Sequence, residues 1–253
     1  MRIDVLTLFP EIFEAPLKSG LLGKGIEAGR LSVVATNIRD FATDPHRTVD
    51  DGPFGGGPGM VMKCGPLFAA VDSLRSKNSL KRVVLLSPRG RRLDQALVKD
   101  LAQSPDLVLI CGRYEGVDER VSQAVVTEEI SIGDYVIGGG EFAALVIIDA
   151  VSRMLPGVVG DWDSVVTDSF YDGILGPPQY TRPPEFQGMK VPEVLTSGNH
   201  AAIARFRRKE ALRVTRARRP DLLVNVSEED RALLRELDKE ETKSSGNSPD
   251  TKV

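Results

Sequence analysis

Residues 82–90 read RVVLLSPRG and residues 107–116 read LVLICGRYEG, and these two stretches decide the fold. Each joins at least four consecutive apolar residues to a loop that contains glycine. Near-continuous apolar strands are typical of parallel sheets that helices cover on both faces. The two stretches therefore predict buried strands of a largely parallel sheet.

Strand and helix patterns alternate through the first 155 or so residues, which is the pattern of an α/β domain. Strands are predicted at Ile3–Phe9, Leu31–Ile38, Arg82–Ser87, Leu107–Gly112 and Ala124–Ile130. Helix-compatible spacing covers Glu11–Ala28, Pro66–Ser76, Leu93–Gln103, Val117–Gln123 and Glu141–Met154.

The composition changes in the last third of the chain. The stretch Pro156–Gln187 is rich in Gly, Pro, Asp and Ser, which indicates a functional loop or a linker. Two helix patterns follow, Ala201–Arg219 and Glu228–Lys243, and Ser227 with Asp230 forms a predicted capping box for the second. We predict a catalytic domain over residues 1–160, a linker over 161–187, a small all-α domain over 188–243 and a disordered tail over 244–253.

Charge is unevenly distributed. The whole chain has 33 basic and 36 acidic side chains, a net charge of −3. The segment His200–Pro220 carries eight basic residues against Glu210 alone, whereas Asp221–Val253 carries five basic and nine acidic residues. Such a basic helix is typical of a phosphate-binding surface. Charge alone leaves open a second interpretation, in which the basic helix pairs with the acidic helix that follows it.

Composition also bears on the class of protein. Hydrophobic residues make up 41% and charged residues 27% of the chain, as in ordinary soluble domains, and no apolar run is long enough to span a membrane. The segment after Met1 is typical of a first strand and not of a signal peptide. Two cysteines without a C-x-x-C spacing and two histidines predict neither a disulfide framework nor a metal site built on these residues. We expect a cytoplasmic protein.

Three loops follow three of the predicted strands: a first loop at Leu86–Gly90, a middle loop at Cys111–Gly116 and a third loop at Ile132–Glu141. Ligands of open α/β sheets bind beyond the carboxyl ends of strands, so the three loops together predict one pocket. Tight turns are the alternative for each loop taken alone. The chain has neither a P-loop nor a Rossmann glycine motif. We interpret the glycine-rich segment Gly55–Gly59 as a flexible or substrate-facing loop, and a surface turn is the alternative.

Several longer stretches resemble the bacterial tRNA (guanine-N1)-methyltransferase family, the TrmD type of the knotted SPOUT class. The matching stretches are LFP at 8–10, DDGPFGGGPGM at 50–60, CGRYEGVDER at 111–120, EISIGDYVI at 129–137, YTRP at 180–183 and VPEVLTSGNH at 191–200. The resemblance extends from the first strand to about Leu223.

The resemblance implies a SPOUT-type parallel sheet with a trefoil knot on its C-terminal side, formed by the three loops, and a small all-α C-terminal domain. It also implies S-adenosylmethionine bound in the knot, and an obligate homodimer with active sites at its interface. The implied reaction is methylation of N1 of guanosine at position 37 of tRNA, with the anticodon stem-loop as partner. Family members need magnesium, which Glu115 together with substrate oxygens could hold; no metal ligands are assigned among the residues of the chain.

Guanine N1 carries a proton, so such a reaction needs a base, and charge that grows on O6 needs a cation or donor. By resemblance, Asp168 is the general base and Arg153 stabilises the charge. From the residues alone, Asp168 is a helix N-cap and Arg153 a partner of its own helix dipole. The predicted cofactor contacts are Leu86, Ser87, Pro88, Gly112, Tyr114, Glu115, Gly116, Ile132, Gly133, Asp134, Tyr135, Val136, Ile137, Gly139 and Gly140. The predicted substrate contacts are Asp50, Gly57, Ser169, Arg182, Ser197, Asn199, His200, Arg205 and Arg208.

Two alternatives remain at this point. One is a related SPOUT methyltransferase that acts on ribose hydroxyls or on another RNA. The other is a non-catalytic RNA-binding protein that senses S-adenosylmethionine.

Overall fold

The computed structural model describes residues 1–76 and 82–245, and the side chains only as far as residue 242 at the C-terminal end. The chain forms two compact units, Met1–Trp162 and Asp163–Val253. The predicted tail over 244–253 falls almost entirely outside the described residues.

The first unit is built on a five-stranded parallel sheet. The strands of this unit are β1 (Arg2–Thr7), β2 (Ser32–Asn37), β3 (Asp50–Asp51), β4 (Val61–Met62), β5 (Val83–Arg92), β6 (Asp106–Cys111) and β7 (Glu128–Ser131). The sheet order is β2-β1-β6-β5-β7, and every neighbouring pair is parallel. Strands β3 and β4 form a separate antiparallel ribbon. The predicted α/β class with a parallel central sheet is confirmed.

Two hydrophobic clusters cover the two faces of this sheet. Alternate residues of β6 divide between them, because Leu107 and Leu109 belong to one cluster and Val108 and Ile110 to the other. The helices of this unit are α1 (Gly20–Glu27), α2 (Cys64–Arg75), α3 (Gln95–Leu101), α4 (Glu119–Ala124) and α5 (Gly140–Ser152), with short 3-10 helices at Pro10–Phe13, Pro16–Lys18 and Ile38–Phe41. The strands contain unbroken apolar runs because both faces of the sheet are buried.

Two predicted elements are wrong in extent. The predicted helix Glu11–Ala28 is two 3-10 helices followed by α1, since Pro16 lacks an amide hydrogen for a continuous helix and Gly20 has a positive φ of 61°. The predicted strand Ala124–Ile130 begins only at Glu128. Its first residue closes α4, a helix that begins after Asp118, whose carboxylate accepts a hydrogen bond from the amide of Arg120.

The second unit contains the remaining elements. The strands β8 (Glu185–Phe186) and β9 (Met189–Lys190) form an antiparallel hairpin. The helices are α7 (His200–Arg218) and α8 (Glu228–Ser245), with 3-10 helices at Glu193–Thr196 and Pro220–Leu223. A further helix, α6 (Trp162–Val166), spans the boundary between the units. The hydrophobic core of the second unit packs Ile174, from the predicted linker, against Leu212 of α7 and Leu237 of α8.

Both long helices of the second unit have polar N-caps. The Asn199 side chain accepts a hydrogen bond from the amide of Ala202 at the start of α7. At the start of α8 the Ser227 hydroxyl accepts from the amide of Asp230 at 3.1 Å, which is the N-cap half of the predicted capping box. Within the described residues, no helix is both long enough and apolar enough to cross a membrane.

Candidate active site

The first loop, which lies within β5, and the two loops that follow β6 and β7 line a single cavity of about 510 Å³. This volume lies within the range of roughly 300–1,000 Å³ that small-molecule sites occupy. Because parallel strands end at the same edge of the sheet, their loops converge there. The cavity is therefore where the chain order and the sheet topology together predict a ligand.

The first loop interrupts strand β5 before the strand resumes. Leu86 and Arg91 both pair with Ile130 of β7, so the residues between them leave the ladder and return to it. Gly90 makes the return possible, since a Cβ atom at this position would lie 2.4 Å from the backbone of Glu129 and Ile130. The excursion brings Ser87 to the cavity wall.

The third loop lies directly against the middle loop. The amide of Gly140 donates to the carbonyl of Gly112 at 2.9 Å. A Cβ atom at Gly140 would lie 2.7 Å from the Cα of Cys111, closer than real Cβ atoms approach. Glycine is therefore required at position 140 by a close backbone contact and not by a positive φ.

A buried ion pair fixes the start of α5. The Glu141 side chain is fully buried, and it accepts hydrogen bonds from the Thr7 hydroxyl at 2.8 Å and from Nε of Arg113 at 2.9 Å. Arg113 also donates to the carbonyl of Gly138 at 2.9 Å and lies 4.5 Å from the ring centroid of Phe9. A carboxylate in the first turn of a helix is stabilised by the helix dipole. This cluster joins the end of β1, the middle loop and the third loop.

Cys111 lies beneath the cavity and does not supply a nucleophile. Burial raises the pKa of its thiol well above the ordinary value, and the charge of Glu141 adds to this rise while Arg113 opposes it. A thiol with a raised pKa is unreactive at neutral pH.

The glycine-rich segment borders the middle loop. The amide of Glu115 donates to the carbonyl of Met60, and the amide of Met62 donates to that of Gly116, both at 2.9 Å. Gly59, at a φ of +74°, lies beneath the side chain of Glu115, whose Oε1 would be 2.5 Å from a Cβ atom there. This contact favours the interpretation of Gly55–Gly59 as a loop beside the site over an ordinary surface turn.

Of the predicted cofactor contacts, all except Asp134 line this cavity. Asp134 is exposed in the third loop. The cavity wall also contains residues that were not predicted: Leu85, Arg89, Arg113, Val117, Glu119, Ile130, Ser131, Gly138 and Ala143. Arg113 lies within the CGRYEG stretch of the middle loop. A charged side chain at that position could have identified it as a cavity residue from the sequence. Within residues 1–76 and 82–245, no group of three or more His, Cys, Asp and Glu side chains is placed to hold a metal ion.

Arg153 and Asp168, the predicted catalytic pair, occupy different local settings. Arg153 is the C-cap of α5, where a cation interacts favourably with the helix dipole. Asp168 is exposed and lies just after α6, with its amide donating to the carbonyl of Val165 at 3.3 Å. In the described chain no helix starts directly at Asp168, since residues 167–174 form turns, so the N-cap interpretation of this residue is wrong.

The remaining predicted substrate contacts are distributed over both units. In the first unit, Asp50 is half-buried in β3 and Gly57 is exposed. In the second unit, the Ser169 hydroxyl accepts from the amide of Gly176 at 2.8 Å, and Arg182 is exposed. Ser197, Asn199 and His200 meet at the N-terminus of α7, where the Ser197 hydroxyl accepts from the amide of Asn199 at 3.1 Å.

Acidic residues, most of them on α8, pair with six of the eight basic residues counted in α7 and just after it. The pairs are Arg205 with Glu236, Arg208 with Asp230 and Asp172, Lys209 with Glu236 and Glu240, Arg213 with Glu240 and Glu210, Arg216 with Asp238 and Glu241, and Arg219 with Asp221. Arg208 lowers the pKa of Asp230. Most of these basic residues therefore form ion pairs with acidic residues, as the second interpretation of the charge pattern expected. Arg207 and Arg218 have no ion-pair partner among the described residues.

Comparisons of the sequence with known proteins identify the family of the chain. A family model described as "tRNA (Guanine-1)-methyltransferase TrmD" matches residues 1–225. Curated proteins named tRNA (guanine-N(1)-)-methyltransferase are similar over nearly the whole chain. The relative from Geobacter sulfurreducens is 51% identical, covering 95% of this chain and 99% of its own. The relative from Moorella thermoacetica is 55% identical over 95% and 98% of the two chains, and that from Dictyoglomus turgidum is 53% identical over the same shares.

Proposed function

The chain belongs to the tRNA (guanine-1)-methyltransferase family, and we propose that it transfers a methyl group from S-adenosylmethionine to N1 of guanosine at position 37 of tRNA. One observation carries this proposal: the cavity formed by the three loops lies wholly within the residues that match the family. The relatives also cover the catalytic and C-terminal regions alike, since the similarity spans 95% of this chain.

The cavity wall suits this cofactor chemically. Leu86, Pro88 and Ile132 supply apolar surface for a purine ring. Gly112 and Gly139 leave backbone groups accessible, because they have no side chain to cover them. The carboxylate of Glu115 offers a partner to the cationic methionine end.

The bound cofactor would supply an electrophilic methyl group on its sulfonium. Guanine N1 is a poor nucleophile while it carries its proton, and we assign the removal of that proton to the carboxylate of Asp168. Arg153 would stabilise the negative charge that develops on O6. The exposure of Asp168 leaves its carboxylate accessible to an RNA base.

The finer features of the family belong to the same proposal. They are a trefoil knot made by the three loops, a homodimer whose interface holds the active sites, a cytoplasmic location, and a helical domain over residues 188–243 that binds the anticodon stem-loop. The close backbone contacts at Gly90 and Gly140 support the knot, because they pack the loops tightly against strand β7 and against each other.

The test is methyl transfer from labelled S-adenosylmethionine to tRNA transcripts with either guanosine or adenosine at position 37. We expect label only in the guanosine transcript, at N1. Label on a ribose hydroxyl would indicate the related methyltransferases instead, and no transfer to any tRNA would remove the proposed activity.

The role of Asp168 has its own test. Asp168→Asn should retain cofactor affinity and lose turnover by about 10²-fold or more, the usual contribution of a general base. Thr167→Ala is the matched control in the same turn and should lose much less, since the Thr167 hydroxyl donates to the carbonyl of Asp163. Near-normal turnover in Asp168→Asn would exclude Asp168 as the base.

A further inference from the structure

A second cavity, of about 400 Å³, lies within the second unit. Its wall comes from the segment 178–184, from the 3-10 helix Glu193–Thr196 and from α7, through residues that include Tyr180, Arg182, Leu195 and Arg207. It shares no residue with the cavity of the three loops. Its volume is also that of a small-molecule site.

Two guanidinium groups in this wall are not neutralised. Arg182 and Arg207 have no ion-pair partner within the described parts of the chain, whereas six other basic residues in and just after α7 are each paired with a carboxylate. An arginine that lines a concave surface without a carboxylate attracts an anion, and its planar fork matches the oxygens of a phosphate. The cavity therefore favours a phosphate group.

The same wall offers a surface for a planar ring. Tyr180 is 50% exposed, and Leu195 and Val191 add apolar surface beside it. Single-stranded RNA is recognised by this combination of aromatic side chains that stack on bases and cations that contact phosphates.

We propose that this cavity binds one unpaired nucleotide of the tRNA, with its base on Tyr180 and its phosphate on Arg182 and Arg207. The inference rests on the proposed function for the identity of the RNA. It separates the cations of α7 into those that pair with acidic residues of the chain itself and those that have no such partner among the described residues, Arg207 and Arg218; of these two, Arg207 lines the cavity.

The experiment measures binding of tRNA and of the anticodon stem-loop by fluorescence anisotropy as a function of salt. Tyr180→Ala and Arg207→Gln should each weaken binding roughly tenfold, within the range of a lost stacking or phosphate contact. Tyr180→Phe keeps the ring and should bind like the wild type. Arg207→Gln should also reduce the slope of log K against log salt by about 0.7, the value for one phosphate contact of a single strand.

Two arginine variants serve as matched controls on the same helix. Arg213→Gln removes a cation that is already paired with Glu240, and Arg218→Gln removes a cation outside the cavity that has no ion-pair partner in the described parts of the chain. Each should weaken binding less than threefold or so, because neither lines the cavity. Thermal unfolding of every variant shows whether the fold is retained, and cofactor affinity should be unchanged throughout.

Three results would overturn the inference. The first is tRNA affinity in Tyr180→Ala and Arg207→Gln no lower than in Arg213→Gln. The second is an equal loss in Tyr180→Phe and Tyr180→Ala, since the ring would then not be the platform. The third is a Tyr180 substitution that weakens the binding of guanosine monophosphate but not that of the stem-loop. The cavity would then be assigned to a free nucleotide. If the proposed function failed, the wild type would methylate no tRNA, a separate readout from all three.

Discussion

Replacing Glu141 by glutamine tests the buried ion pair that joins the loops of the cavity. The substitution preserves shape but removes the charge that faces Arg113, and it places an amide group opposite one of two donors, the Thr7 hydroxyl or the guanidinium. Removal of one partner of a buried ion pair costs about 3–5 kcal/mol. Because the Arg113 side chain remains 22% exposed, we expect the lower end, about 3 kcal/mol.

The assay is urea unfolding followed by circular dichroism, with thermal unfolding as a second measure. A loss of about 3 kcal/mol corresponds to a fall of roughly 6–12 °C in Tm for a unit of this size. Cofactor affinity should fall as well, since Arg113 holds the carbonyl of Gly138 in the cavity wall.

The matched control is Glu119→Gln, which breaks the exposed pair with Arg89 and should cost less than about 1 kcal/mol. A stability loss in Glu141→Gln no larger than in this control would refute the reasoning, because the pair would then behave as a surface contact. A double-mutant cycle with Arg113→Gln would measure the coupling directly.

Two further predictions concern close packing and pH. Gly140→Ala should destabilise the first unit by about 1–3 kcal/mol, the usual cost of overpacking, since its Cβ would lie 2.7 Å from the Cα of Cys111. Gly65→Ala in α2, where a Cβ meets nothing within 4 Å, should be neutral or slightly stabilising; equal losses by urea unfolding would contradict the argument. Asp230→Asn should lower stability at pH 7 by about 1–2 kcal/mol, because its side chain loses the charge-assisted hydrogen bonds from Arg208. Since Arg208 lowers the pKa of Asp230 in the folded state, this contribution is present above the ordinary Asp pKa of about 4 and is lost as the pH falls through the folded value. Unfolding curves of the two proteins should therefore converge in acid, and a difference that persists or grows there would exclude the mechanism.

Local patterns in the sequence determined much of the fold. The unbroken apolar runs in β5 and β6 indicated strands buried on both faces, and the sheet has both faces covered. The Ser227–Asp230 spacing predicted a capping box, and the Ser227 hydroxyl accepts from the amide of Asp230 at the start of α8. Such features depend on residues close together in the chain, which is why the sequence alone reveals them. The stretches that resemble the family also predicted the family itself, which the comparisons confirm.

Other predictions failed because short-range chemistry competes with periodicity. Apolar spacing over Glu11–Ala28 fits a helix, but Pro16 and the positive φ of Gly20 divide it. The aliphatic residues from Ala124 onward resemble a strand, but the helix that begins after Asp118 includes Ala124, and the strand begins only at Glu128.

Only the tertiary structure decided which distant groups meet. Arg113 and Glu141 are 28 residues apart, and Thr7 is 134 residues from Glu141, so their contact depends on the sheet order that places β6 beside β1. In the same way, the sequence revealed the excess of basic residues in His200–Pro220 but not which of them pair with carboxylates. That pairing depends on how α7 packs against α8. Chain-local patterns determine which elements form, whereas side chains far apart in sequence pair only when strand order and helix packing bring them within hydrogen-bonding distance.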